Sequence, residues 1–152
     1  MKLIINAYIQ IQKPAHEVFE AIVDPAKMSN YFIRSSTGRM EEGAILTWKF
    51  PEFDAQFKIR VGIIRRDEYV SFYWPNTLGQ DMFVEMTLKP GANNSTVITV
   101  TEKEMDNDEE GIKWFGGNTY GWANFLACLK AYLEYGINLR KGAFDFPKAE
   151  PK

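Results

Sequence analysis

Cysteine and histidine are almost missing from this chain of 152 residues, which has only Cys128 and His16. One thiol cannot close an internal disulfide, so nothing here calls for an oxidising compartment. One imidazole excludes every metal site built on a histidine pair, and any nucleophile dyad would have to depend on His16. That residue falls in the first turn of an expected helix, where an exposed side chain is the better reading than a general base. Cys128 sits beside an apolar helical stripe and is expected to be a buried, inert thiol. The run Asp106-Asn107-Asp108-Glu109-Glu110-Gly111 opens like a calcium loop, but its twelfth position is Gly117, where a bidentate glutamate is needed. Neither a metal nor any other cofactor is expected.

Surplus positive charge is also lacking. Eighteen Lys and Arg against twenty Asp and Glu give a net charge of −2, which argues against a nucleic-acid partner. The densest basic spot, Arg65-Arg66, runs straight into Asp67-Glu68 and reads as a solvated turn. No long apolar run occurs, so no membrane span is expected. Residues 1–12 alternate polar and apolar side chains, unlike a signal peptide or an anchor, and the expected location is cytoplasmic. Without a secretory signal, the sequons in Asn93-Asn94-Ser95-Thr96 are turn residues. No G-x-G-x-x-G, Walker loop or G-x-S-x-G motif is present.

What the chain has is apolar and aromatic side chains, 45% and 14% of its residues, enough for one sizeable core. A single domain over residues 1–146 is expected, with 147–152, which hold two prolines, as a disordered tail. The stretch organising that domain is residues 118–136. Trp122, Phe125, Leu126, Leu129 and Leu133 recur at helical spacing, and Gly136 follows as a stop signal. Residues 106–117 suit a capped helical lead-in with Asp106 and Glu109, which Gly116-Gly117 should interrupt or bend.

Nearly everything before that helix reads as strand. Leu3, Ile5, Ala7, Ile9 and Ile11 alternate with polar residues until Pro14, and two short helices follow, the second capped by Asp24. Strand signals then begin at Arg39-Met40 and pass through a turn at 41–43 into a segment where Leu46, Trp48 and Phe50 share a face. Phe53, Ala55, Phe57, Ile59, Val61 and Ile63 alternate next, and then Val70, Phe72 and Trp74. Residues 81–89 and 95–104 form the last pair across the turn cluster at 90–94. A helix with one apolar side can bury it here only if the sheet curls round it.

In the segments IQIQKPAHEVFEAIVDPAKMSNYF, EEGAILTWKF and GWANFLACLKAYLE the chain resembles the START-like, or SRPBCC, superfamily, and most closely the branch named after the activator of Hsp-90 ATPase homologue. The resemblance implies an α+β helix-grip (Bet v 1-like) fold, a curved antiparallel sheet wrapped around a long C-terminal helix with two short helices after the first strand. It also implies a cavity between helix and sheet, used by different relatives for lipids, sterols, hormones or polyketide intermediates. The expected partner is accordingly a small apolar molecule, lipid-like or aromatic. The co-chaperone of that branch uses a related domain to bind protein, so a protein partner is the alternative.

Candidate ligand contacts are the inward-facing Trp48, Phe57, Trp74, Met82, Met86, Trp122, Phe125 and Leu129, since rings stack on flat apolar molecules and thioethers adapt to irregular ones. Apolar periodicity alone does not separate such a lining from a filled core. Tyr31, Phe32, Trp114 and Phe115 lie on less regular segments and are candidates for the cavity mouth. No catalytic residue is assigned. A cyclase or dehydratase would need an inward polar side chain, and among Tyr73, Tyr120 and Glu85 the strand parity turns Tyr73 and Glu85 outward.

Overall fold

A computed structural model of the chain describes residues 1–146. The expected tail at 147–152 lies outside the described residues. Strand β1 (Lys2–Ile11) leads into helices α1 (Ala15–Val23) and α2 (Pro25–Met28). Six strands follow, β2 (Ser35–Ser36), β3 (Ile45–Lys49), β4 (Gln56–Arg65), β5 (Tyr69–Pro75), β6 (Asp81–Pro90) and β7 (Thr96–Asp106), before helix α3 (Glu109–Tyr135). The strands make one antiparallel sheet in the order β1-β7-β6-β5-β4-β3-β2, curved around α3 as the helix-grip arrangement requires. The first strand pairs with the last, and the end of β1 is tied to the C-terminal half of the helix by Lys130, which donates to the Gln10 carbonyl at 2.8 Å.

Alternation explains which face is buried. Val84, Met86 and Leu88 of β6 and Ile98 and Val100 of β7 point inward, and each is at most 4% exposed. Phe125, Leu126 and Leu129 of α3 meet them, while α1 contributes Val18, Phe19 and Ile22. Tyr31, beyond α2, is buried and donates its hydroxyl hydrogen to the Ala21 carbonyl at 2.7 Å, and burial pushes that phenol well above its ordinary value. Cys128 is likewise buried, and desolvation raises its thiol, the state of an unreactive cysteine.

The elements depart from the sequence expectations in three places. Helix α3 begins at Glu109 and runs unbroken through Gly116-Gly117, and Asp108, not Asp106, caps it by accepting the Gly111 N–H at 2.8 Å. Its end at Gly136, in the left-handed region at φ 66°, is where the stop signal put it. Arg39-Met40 is not strand; Ser35–Ser36 pairs with β3 instead, and Met40 turns in against α1, its N–H donating to the Val23 carbonyl at 3.1 Å. Finally, the alternation through Phe53 and Ile63 fails at both ends. Phe53 precedes β4 and is 48% exposed, and Ile63 is 54% exposed because a bulge shifts the register between Val61 and Ile64. Buried Ser71 holds that bulge by accepting the Ile63 N–H at 2.9 Å. Gly62 is needed beside it, since a Cβ there would lie 2.6 Å from the Ser71 hydroxyl.

Candidate functional site

Strand β7 carries Thr96, Ile98 and Val100 inward, and the next residue of the same parity is Glu102, which is 0% exposed. A carboxylate there needs donors, and three converge on it. Trp122 Nε1–H donates to Oε1 at 2.9 Å, Asn118 Nδ2 donates to Oε1 at 3.0 Å, and Trp74 Nε1–H donates to Oε2 at 2.8 Å. Glu102 thereby joins β7, β5 and α3 through one side chain. The Trp74 and Trp122 rings lie beside each other at 5.2 Å, tilted by 31°.

In front of this cluster is a groove of about 770 Å³ between the first half of α3 and the ends of β4 and β5. Phe50, Phe57, Trp74 and Trp114 supply its aromatic walls, Gly117 and Asn118 its helical side, and Glu110 and Lys113 stand among its polar lining residues. A recess of about 130 Å³ shares Phe50, Trp74 and Asn118 with it and adds Phe32, Gly121, Trp122 and Arg140. Arg140 is fixed by a bidentate pair with Glu52, at 2.7 and 3.0 Å, and its guanidinium lies 5.2 Å from the Phe50 ring centre.

Of the residues expected at the ligand, the structure brings Phe57, Trp74 and Trp122 to the groove and its recess. Trp48, Met82, Met86, Phe125 and Leu129 meet one another in the closed interior at no more than 2% exposure, so they pack the core behind it. Of the expected mouth residues, Trp114 lines the groove and Phe32 the recess, whereas Tyr31 borders a separate cavity of about 300 Å³ beside Arg34 and Lys141. Phe115 is 38% exposed on the far side of its turn. Tyr73 and Glu85 face outward from the sheet, and Tyr120 is exposed. The residues that sequence reasoning missed are Glu102, Asn118 and Phe50. Glu102 had a readable signal, its parity with Ile98 and Val100, as did Phe50, which shares a face with Trp48; Asn118 had none until the helix was set against the sheet.

The family described as activator of Hsp90 ATPase homolog 1-like protein matches residues 12–134, which run from the end of β1 to the last turn of α3. The chain belongs to that family. Among solved structures, this AHSA1-like chain is similar to protein SSP2350 from Staphylococcus saprophyticus, at 31% identity and a TM-score of 0.80 over 91% of this chain and 96% of that one. It is also similar to DynU16, a protein of the dynemicin biosynthetic locus, at 25% identity and a TM-score of 0.79. That match covers 95% of this chain but only 51% of DynU16, so the AHSA1-like chain spans about half the length of that protein. The Aha1 dimer from Colwellia psychrerythraea, at 17% identity and a TM-score of 0.74 over 88% of this chain and 98% of that one, shares the fold. No curated protein matches the chain. Among the described residues no helix is long and apolar enough to cross a membrane, and no group of three or more His, Cys, Asp or Glu could hold a metal ion.

Proposed function

We propose that this AHSA1-like protein binds a small, flat, largely apolar molecule in the groove between the first half of α3 and the ends of β4 and β5. The observation that carries the reading is a pair of glycines. Gly117 and Gly121 sit one turn apart inside α3, and a Cβ built on either would meet no atom within 4 Å. Neither is needed for a close approach or for a left-handed backbone, yet a glycine inside a helix costs about 1 kcal/mol relative to alanine. Gly117 lines the groove and Gly121 its recess, so the side chains they lack are what leave the space open.

The walls suit such a ligand. Four aromatic rings offer stacking surfaces, while a few polar groups remain to orient what binds. A protein-binding role would be better supported by an open apolar patch on the outer face of the sheet. That face instead carries a row in direct register, Arg60, Tyr73, Phe83 and Lys103, in which Arg60 covers the Tyr73 ring at 4.2 Å and Lys103 approaches Phe83 at 5.9 Å.

The test is a titration of intrinsic tryptophan fluorescence with a library of two- and three-ring aromatic compounds. At least one should give a saturable change, because Trp74 and Trp114 border the groove. Gly117→Leu should retain the fold, since its side chain enters open space, and should abolish that change by filling the groove. A library without any saturable signal, or binding that survives Gly117→Leu unaltered, would overturn the proposal.

A further inference from the structure

The buried carboxylate of Glu102 settles which end of the Asn118 amide faces the groove. A carboxylate only accepts hydrogen bonds, so the Asn118 group within 3.0 Å of it must be the NH₂. The carbonyl oxygen is then the part left over, on a residue that lines both groove and recess. It has no hydrogen-bond partner among the described residues, yet it is not among the polar atoms sealed from solvent. The neighbouring polar groups are engaged, peripheral or, like the unpaired Trp114 Nε1–H, sealed from solvent. Asn76 is consumed by its own turn, its Oδ1 accepting the N–H groups of Leu78 and Gln80 at 2.9 Å each, and Glu110, Lys113 and Thr77 are exposed at the rim. Trp74 likewise has its N–H turned back to Glu102, so it offers the groove carbon surface and no donor. Next to an apolar ring surface, the groove therefore presents one fixed, unpaired acceptor.

Resting on the groove reading above, we infer that the ligand is an aromatic molecule bearing a hydroxyl donor, a phenol in the simplest case, whose O–H is accepted by Asn118 Oδ1 while its rings lie against Trp74. Glu102 is a positioning residue. It does not touch the ligand, but it denies Asn118 the flipped orientation in which the amide would donate instead. A ligand of the same shape with an ether in place of the hydroxyl leaves the acceptor unpaired, and a site built to pair a group discriminates against the analogue that lacks it.

A matched pair of probes tests this, 2-naphthol and 2-methoxynaphthalene, titrated by fluorescence or calorimetry against the wild type and two variants whose fold is checked by circular dichroism. The wild type should bind the naphthol about five- to tenfold more tightly than its methyl ether, the factor expected of one net hydrogen bond. In Asn118→Leu the two affinities should converge. In Glu102→Gln, an NH₂ at the Oε1 position would face Asn118 and release its amide to flip, whereas at Oε2 it would face Trp74 and leave Asn118 held, so the preference should shrink. Equal binding of both probes to the wild type would overturn the inference while leaving the groove intact as a binding site. So would a hydroxyl preference that persists in Asn118→Leu. If neither probe binds while another compound of the aromatic library does, this inference falls and the groove reading stands; if no compound binds, both fall.

Discussion

Glu102 is the one charged side chain among the buried described residues, and its three donors come from positions 16, 20 and 28 residues away in sequence. Removing the acceptor would strand them together. Trp122 Nε1–H lies in the closed interior and would lose its partner outright, while Trp74 and Asn118 border the groove and can recover part of their bonding from water. Glu102→Leu should therefore destabilise the fold by about 2 to 4 kcal/mol, read as a lower urea midpoint with the same slope. An unchanged midpoint would mean that the carboxylate is dispensable. The residue was open to detection in the sequence, since strict alternation through Thr96, Ile98 and Val100 brings position 102 to the inner face. Its role was not. Strand parity reports which way a side chain points but says nothing of what meets it, and here the partners arrive from a different strand and from a helix. The same limit divided the expected ligand contacts. Met82 and Trp74 share one parity as direct partners across β5 and β6, yet only Trp74 lies far enough toward the open end of the sheet to border the groove.

Helix α3 shows what periodicity reads well and where local propensity misleads. Trp122, Phe125, Leu126 and Leu129 mark the buried stripe because one continuous core lies under them. The first two turns were legible as a helical lead-in, but Gly116 and Gly117, residues of low helix propensity, suggested a break between it and the main helix. Packing overrides propensity, as Trp114 carries the stripe two turns further back at i−8 from Trp122 and is 8% exposed. The glycines are not equivalent. A Cβ at Gly111 would sit 1.8 Å from the Asp106 carbonyl oxygen, whereas at Gly117 it would meet nothing within 4 Å. Gly111→Ala should thus cost about 1 to 3 kcal/mol through overpacking. Gly117→Ala should stabilise by up to about 1 kcal/mol while narrowing the groove, a separation of stability from binding that thermal melts and the fluorescence titration would read together. At the centre of the stripe, Leu129→Ala should cost about 2 to 5 kcal/mol, and a smaller loss would place the core elsewhere.

Across the whole molecule, carboxylates tie together elements far apart in the chain, and their charge links stability to pH. Glu20 on α1 makes a two-pronged pair with Arg39, whose hydrogen bonds hold its carboxyl below the ordinary 4.5. Glu85 on the outer face is pushed up by partial burial, but hydrogen bonds from Tyr69 and Lys103 outweigh this and leave it lowered. Partial burial also acts against Glu134, near the end of α3, and is outweighed in turn by Lys130 and by the Gln12 backbone N–H, which donates to it at 2.9 Å. All three are lowered in the folded chain relative to 4.5. The unfolded chain therefore takes up protons first as the medium is acidified. The stability these groups contribute is fully present above 4.5 and drains away as pH falls through their lower folded values. Urea midpoints should accordingly fall from neutral pH to a pH below those folded values. Glu134 gives the sharpest single test because it fastens the end of α3 to the chain just after β1. Glu134→Gln should be less stable than the wild type at neutral pH, and the difference should close as the solution is acidified, since the wild-type side chain becomes as uncharged as the glutamine. A gap of equal size at both ends of that range would show that the ionised carboxylate contributes nothing beyond the hydrogen bond that glutamine also accepts.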